Sequence, residues 1–251
     1  MSGTEWVLAA LIMFLGGIVK GGIGFGFPAI TIPFLSLIIG PREAVVMLSL
    51  SVLATNIDNV RRDFSEWRSL LEVLPYFAVG IVCVPLGVIF LQRGDPDLVR
   101  LIIGLAVYLY LATRRFLPEM GGLGAGTRRG IGVGCGLLAG FLAGMANLPG
   151  PVSIIYFTMF NFTKNAFVFV INAFNVVSIG GAAATFALRG EYAHPALARA
   201  LIALVPVYLG FWTGLRLRER LSQEVFFRFV LWGLFGVATM LVARGAWKIF
   251  F

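Results

Sequence analysis

The sequence predicts an all-α polytopic membrane protein made of two related halves, and three observations predict it. Hydrophobic residues are 59% of the 251 residues and charged residues only 13%, whereas a soluble domain carries about 25% charged residues. The apolar runs are long and continuous, unlike the alternating strands of a membrane barrel. A broken apolar unit followed by three apolar spans occurs twice along the chain.

This composition also limits the classes of function. A bilayer-spanning helix needs about 20 apolar residues, so the chain has room for about eight hydrophobic units and no extramembrane domain. The net charge of +8 comes from arginines in short loops, as topology signals do, and nucleic-acid binding is not expected. The first apolar run lacks a basic leading region and is not expected to be a cleaved signal peptide.

The first predicted repeat covers residues 1–116. It starts with a half-helix at Trp6–Val19, which is followed by the glycine-rich break KGGIGFGFP and a second half-helix at Pro28–Ile39. Three full spans are then predicted, at Glu43–Val60, Ser69–Leu91 and Asp97–Arg114. A glycine-rich linker at residues 117–128 separates this repeat from the second one.

The second predicted repeat, residues 129–251, follows the same order. A segment from Gly130 to Ala146 breaks at NLPGP and resumes to Phe160. Its three spans are predicted at Asn165–Leu188, Pro195–Leu215 and Glu224–Ala243. A shift of 123 residues places Gly17, Gly21, Pro28 and Phe34 on Gly140, Gly144, Pro151 and Phe157, and a shift of 127 places Gly87 and Arg93 on Gly214 and Arg220. Paired interruptions of this kind indicate the binding site of a transporter.

The orientation of the two halves depends on the path of the broken units. If each broken unit crosses the membrane, the halves are parallel; if each is a re-entrant hairpin, the halves are inverted repeats. The hairpin arrangement gathers more of the loop arginines and lysines on one side, so we favour inverted repeats. It places both termini on the non-cytoplasmic side of the cell membrane.

The two breaks predict an anion site. Glycine permits positive φ angles and close approach of the backbone to a ligand, so we expect residues 20–27 to be unwound. Pro28 suits the first turn of a helix, and Gly150 and Pro151 would start the matching half-helix. Two half-helix N-termini, with free N–H groups and partial positive charge, would then form a cradle for a small anion.

Polar side chains near the breaks complete the candidate site. Lys20 is a charge partner for an anion, or it snorkels to the surface, or it caps the carbonyls of the first half-helix. Asn172 and Asn175 contact the substrate or hold helices together. The predicted substrate-binding residues are Lys20, Gly21, Gly24, Phe25, Gly26, Phe27, Pro28, Asn147, Gly150, Pro151, Asn172 and Asn175.

The span after the first break carries further polar residues. Ser51, Thr55 and Asp58 share one helix face and are predicted as a polar lining or coupling group. Because Asp58 lies near the end of its span, solvation or an ion pair with Arg61 or Arg62 is the favoured alternative.

The sequence shows no catalytic constellation. GGIGFG has no strand before it and no GK[ST] after it, which a phosphate-binding loop needs. His194 is the only histidine, so a histidine-based metal site or triad has no partners. Cys83 and Cys135 lie in apolar segments as packing residues. We therefore expect no enzyme activity, no metal and no cofactor.

Two stretches resemble the signatures of a known family. GGIVKGGIGFGFPAITIPFL and GLLAGFLAGMANLPGPVSIIYF are similar to the paired glycine-rich segments of the TauE/SafE (sulfite exporter, TSUP) family. The second stretch has Asn147, Leu148 and Pro149 in place of the commoner G-x-G-G-G form. The resemblance implies a carrier in the cytoplasmic membrane for small anions such as sulfite, sulfoacetate, other sulfonates or carboxylates.

Three alternatives stay open from the sequence alone: an anion channel, a membrane enzyme or assembly factor, and a homodimer. An anion channel would use the same cradle without alternating access, and a membrane enzyme or assembly factor would need chemistry that the sequence does not show. The small anion and the lipid bilayer are the expected partners, and homodimerisation is an open alternative.

Overall fold

The computed structural model describes residues 3–115, 124–160, 162–217, 235–236, 238–243 and 245–247. Within these residues the chain is helical and contains no strand. The first half contains α1 (Gly3–Ile23), α2 (Phe27–Ile39), α3 (Pro41–Arg62), a 3₁₀ segment (Phe64–Val73), α4 (Leu74–Arg93) and α5 (Pro96–Arg115). The second half contains α6 (Ala125–Ala146), α7 (Gly150–Phe157), α8 (Lys164–Leu188) and α9 (Ala196–Leu217).

The helices have the lengths and compositions of membrane spans. Six candidate spans occur in the described part of the chain, and α2 is a shorter apolar helix. A bilayer core about 30 Å thick accepts such segments because all their backbone groups bond internally. The chain is therefore a multi-pass membrane protein of the all-α class, as the sequence predicts. The predicted last span, Glu224–Ala243, lies largely outside the described residues.

The first break is shorter than the sequence predicts. α1 continues through Lys20, Gly21 and Gly22 to Ile23, and only residues 24–26 leave the helix. The expectation that residues 20–27 are unwound is therefore wrong. A Cβ on Gly21 would collide with the Phe211 carbonyl of α9, so this glycine permits close helix packing and does not end the helix.

The structural break has backbone angles that suit glycine. Gly24 and Gly26 have φ values of 93° and 92°, in the left-handed region that favours glycine. α2 then folds back along α1. Gly16 lies so close to Thr31 and Phe27 that an added Cβ would collide with their side chains. α1 and α2 are therefore antiparallel neighbours.

Two pairs of glycine-lined helices join the halves. α1 packs on α9 where Cβ atoms on Gly17 and Gly214 would collide with the carbonyls of Val207 and Ile18. α6 packs on α4 in the same manner, through Gly140 against the Gly80 carbonyl and Gly87 against the Phe141 carbonyl. The second set of contacts is the first set moved by the shifts of 123 and 127 residues that relate the two repeats in the sequence. The first helix of each repeat thus packs on a helix of the other repeat, α1 on α9 and α6 on α4.

Several boundaries differ from the prediction. α4 starts at Leu74, since a ten-residue 3₁₀ segment occupies Phe64–Val73. α6 starts at Ala125, inside the range predicted as linker, because a helix continues beyond the apolar run that marks its membrane part. α7 ends at Phe157, after eight residues.

Candidate functional site

Lys20 lies at the centre of a buried polar cluster between the two halves. Its side chain is 1% exposed. Its Nζ donates to Asn56 Oδ1 at 2.5 Å and to Asn172 Oδ1 at 2.8 Å. An ammonium group has three donors, so these two bonds leave one donor without a partner among the described residues. Among the described residues no carboxylate pairs with Lys20, and it neither snorkels nor caps a helix end.

The surrounding amides have a defined orientation. Asn56 Nδ2 donates to the Val52 carbonyl at 2.7 Å, and Asn172 Nδ2 donates to the Val168 carbonyl at 2.7 Å. These bonds turn both amide oxygens towards Lys20. The amino group of Lys20 is therefore held by two neutral acceptors, one from each half of the chain, and neither of them supplies a negative charge.

The same cluster ties down the first break. The Gly24 carbonyl accepts from Asn59 Nδ2 at 2.7 Å and from Asn172 Nδ2 at 3.1 Å. A carbonyl at a helix end lacks its usual partner, and here two side-chain amides supply it. Asn172 therefore joins α8 to the break and also contacts Lys20, as the helix-contact interpretation predicts, and its contact with a substrate stays a prediction.

Asn56 and Asn59 are site residues that the sequence analysis missed. They are 0% and 6% exposed on α3, beside the face that carries Ser51, Thr55 and Asp58. A signal for them exists: Asn56 and Asn59 are three residues apart, as are Asn172 and Asn175 on α8. Two N-x-x-N pairs on the helices after the two breaks would have identified all four residues.

A small cavity lies between the two breaks. It has a volume of about 20 Å³, which is enough for about one water molecule. Its walls come from both breaks and from α8. Among the predicted site residues it is lined by Phe25, Gly26, Pro28, Asn147, Gly150, Pro151 and Asn175.

The N-terminal ends of α2 and α7 both face this cavity. Gly26 and Pro28 belong to the first turn region of α2, and Gly150 and Pro151 to that of α7. The first N–H groups of a helix lack internal partners and carry partial positive charge. The cavity wall therefore has a positive electrostatic character at two points.

Two residues that line the cavity have an amide oxygen that makes no hydrogen bond with the described residues. These oxygens are Asn147 Oδ1 and Asn175 Oδ1, on side chains that are 0% and 6% exposed. Asn147 has the left-handed backbone conformation, with φ 49°, and its Nδ2 donates to the Val45 carbonyl at 2.9 Å. Asn175 Nδ2 lies 3.5 Å from Asn56 Oδ1, which links the cavity to the Lys20 cluster.

Aromatic packing fixes α7 beside the cavity. Tyr76 of α4 stacks on Tyr156 with a centroid distance of 5.0 Å, and its hydroxyl lies 2.7 Å from Ser153 Oγ. Ser153 in turn donates to the Pro149 carbonyl at 3.0 Å. A buried hydroxyl network of this kind holds the short helix and its N-terminus in one position.

The other predicted residues lie away from the cavity. Gly21 and Phe27 are buried in helix packing. Thr55 bonds back to the Ser51 carbonyl at 2.8 Å, and Ser51 Oγ makes no hydrogen bond with the described residues. The expected ion pair of Asp58 with Arg61 or Arg62 is wrong: Asp58 Oδ2 accepts from the Tyr208 hydroxyl at 2.7 Å, because α9 approaches this face of α3.

Polar side chains of the two halves contact each other beside the N-terminal end of α3. Arg42 donates to Glu191 at 3.1 Å through Nε and forms an ion pair with it through Nη2. Gln92 Nε2 donates to the same carboxylate at 2.7 Å, and Arg199 pairs with Glu43 at 2.8 Å. We call Arg42, Glu43, Gln92, Glu191 and Arg199 the inter-half polar network.

This network borders a second cavity, of about 280 Å³. Its floor includes Val46 and Met47, which follow directly after Val45, the residue bonded to Asn147. Helix α3 therefore contributes to this larger cavity and, through Val45, also holds Asn147 of the small one.

Comparison with known proteins decides the family. The family model described as "Sulfite exporter TauE/SafE" matches residues 9–241, nearly the whole chain. The chain belongs to the TauE/SafE family. This family consists of membrane transporters for sulfite-type anions, and both TauE/SafE signatures of the chain fall on the two breaks. No curated protein and no solved structure matches the chain significantly.

The TauE/SafE chain has no evident metal centre in its described residues. No group of three or more His, Cys, Asp or Glu side chains is close enough to hold a metal ion there. The chemistry that the described site offers is one buried cation, two helix N-termini and a set of amides.

Proposed function

We propose that this TauE/SafE protein is a secondary carrier for a small sulfonate or sulfite-like anion, bound between the two breaks near the bilayer midplane. The proposal depends on one observation, the burial of Lys20 with two neutral amide oxygens as its partners. A buried charge without a counterion costs several kcal/mol, and an intramembrane lysine is a functional residue by default. An anionic substrate would supply the missing negative charge.

The substrate would lie between the Lys20 cluster and the cavity between the breaks. Lys20 has one donor without a partner among the described residues, and the α2 and α7 N-termini line the adjacent cavity. A cavity of about 20 Å³ is too small for a whole sulfonate, so the breaks must separate for the anion to enter. This requirement suits a carrier that alternates between conformations.

Alternating access also needs a closure that can open. The inter-half polar network supplies a candidate, since it joins the halves at one end beside the larger cavity. The antiparallel α1–α2 pair and the recurring α1–α9 and α4–α6 contacts support inverted repeats, the arrangement in which such motions occur about a midplane site. We place the protein in the cytoplasmic membrane with both termini outside.

A thermal-shift screen of the purified protein tests the binding step. A ligand that binds only the folded state raises the apparent stability. We expect sulfite, sulfoacetate or a related sulfonate to raise the melting temperature, whereas chloride at matched ionic strength should not. A melting temperature unchanged by every sulfonate and by sulfite would contradict the proposal.

Opening of the polar network separates a carrier from a channel or an assembly protein. Glu191→Gln removes the ion pair with Arg42, an interaction worth up to about 1 kcal/mol when partly exposed, or about a fivefold change in the open population. In a background without Cys83 and Cys135, Val46→Cys should then react several times faster with an impermeant maleimide. Glu72→Gln, at an exposed site in the 3₁₀ segment, is the control. Equal labelling rates in both would remove the network from the mechanism.

A further inference from the structure

The small cavity between the breaks presents acceptors as well as positive charge. Asn147 and Asn175 line it, and each has a buried amide oxygen that makes no hydrogen bond with the described residues. The sequence analysis selected both residues as general contacts for an anion, without distinguishing their two amide atoms. An amide oxygen cannot donate, so it repels the oxygens of a fully deprotonated oxyanion.

The neighbouring contacts fix the direction of both amides. If the Asn147 amide were reversed, its oxygen would face the Val45 carbonyl, which now accepts from Nδ2 at 2.9 Å. If the Asn175 amide were reversed, its oxygen would face Asn56 Oδ1, at present 3.5 Å from Nδ2. The Asn56 oxygen is itself fixed by its bonds to Lys20 and, through Nδ2, to Val52. The unpartnered atoms of Asn147 and Asn175 are therefore the amide oxygens and not the nitrogens, and an oxygen can only accept a hydrogen bond.

We propose that the site selects a small monoanion that carries its own hydrogen-bond donor, such as a hydroxyl group next to a sulfonate. The inference rests on the proposed function and assigns the two ends of the ligand. The charged group would lie towards Lys20 and the helix N-termini, and the donor would bond to Asn147 Oδ1 and Asn175 Oδ1. The cavity of about 20 Å³ matches one hydroxyl-sized group.

A small cation is the other species that amide oxygens attract. The Lys20 cluster argues against it, because Asn175 lies beside Asn56, which accepts directly from the ammonium. Like charges in a site of low dielectric repel strongly. A neutral hydroxyl donor covalently attached to an anion avoids this cost, because it adds no positive charge beside Lys20.

The test compares two anions that differ only in the donor. 2-Hydroxyethanesulfonate and ethanesulfonate carry the same charge, and calorimetric titration of the full-length protein in sodium-free buffer gives both affinities. A buried acceptor that gains a partner is worth roughly 1 kcal/mol. We therefore expect the hydroxylated anion to bind roughly five- to tenfold more tightly.

Two variants show which atoms produce the preference. Asn175→Leu removes one acceptor at similar volume, and Asn147→Gly removes the other while keeping a residue that tolerates the left-handed backbone. Each should reduce the affinity ratio of the two sulfonates towards one. Thermal unfolding of each variant checks that it is folded, and a folded variant that retains the full ratio would overturn the assignment.

The outcomes separate this inference from the proposed function. Equal, saturable binding of both sulfonates by the wild type would overturn the inference and leave the anion site standing. Failure of both sulfonates and of sulfite to bind would overturn the site itself, and the inference with it. Binding or preference that appears only when sodium is added would show that the oxygens hold a cation, which also overturns the inference.

Discussion

Replacement of Lys20 by methionine removes the one buried charge of the site while keeping the length of the side chain. In the structure Nζ lies within 2.8 Å of two neutral amide oxygens and has no carboxylate partner among the described residues. An anion about 4 Å from this ammonium would gain about 4 kcal/mol at an effective dielectric constant of 20. Desolvation of both charges offsets part of this gain.

The net effect should be a loss of about 1.4 to 2.8 kcal/mol of binding free energy, or about ten- to a hundredfold in affinity. Backbone N–H groups of the α2 and α7 N-termini would retain some binding. Isothermal titration with the anion that gives the largest thermal shift measures the difference. We expect Lys20→Met to remain folded, because the amides that it leaves can bond to water in the site.

Lys164→Met is the matched control. Lys164 is exposed at the start of α8, so the same loss of charge there should leave affinity unchanged within about twofold. An affinity of Lys20→Met equal to that of the wild type would refute the assignment of this lysine to the substrate. Lys20 would then be a structural residue that joins the halves through Asn56 and Asn172.

Three further predictions concern the first break, the packing of α1 and the sidedness of the termini. Gly26→Val should abolish transport while the protein still inserts, because φ 92° is strained for a β-branched residue; normal uptake by this variant would show that the break can change shape without loss of function. Gly21→Ala should lower the free energy of unfolding by about 1 to 3 kcal/mol through a clash with α9, whereas Gly22→Ala, where no described atom lies near the added one, should not; equal thermal melts would contradict the packing argument. A cysteine at Ser2, in a chain free of other cysteines, should react with an impermeant reagent from outside the cell, and labelling only from the cytoplasm would reject the proposed sidedness.

The sequence predicted the membrane class and the two breaks, because these depend on composition and on glycine and proline positions. It placed the first break too early, since glycine has two uses that look alike in a sequence. Gly24 and Gly26 supply positive φ angles, whereas Gly21 lets α1 approach the α9 backbone. Only the partner helix distinguishes these uses.

The residues of the candidate site were likewise predicted only in part. Lys20, Asn172 and Asn175 could be selected because polar residues are rare at mid-span. Asn56 and Asn59 were passed over in favour of a neighbouring face of α3, and the choice between faces depends on the rotation of α3 against α8, which helix periodicity does not supply. Tyr208 as the partner of Asp58 likewise required knowledge that α9 packs on α3.

Anion exchange in proteoliposomes tests the central claim most directly. Vesicles that contain the purified protein and an internal load of unlabelled sulfonate are diluted into labelled sulfonate, and uptake is measured for the wild type and for Lys20→Met. A carrier with its substrate bound beside Lys20 predicts saturable uptake by the wild type that depends on the internal load, and a strongly reduced rate in the variant at low substrate concentration. Uptake equal to that of protein-free vesicles, or equal rates in the wild type and the variant, would contradict the account.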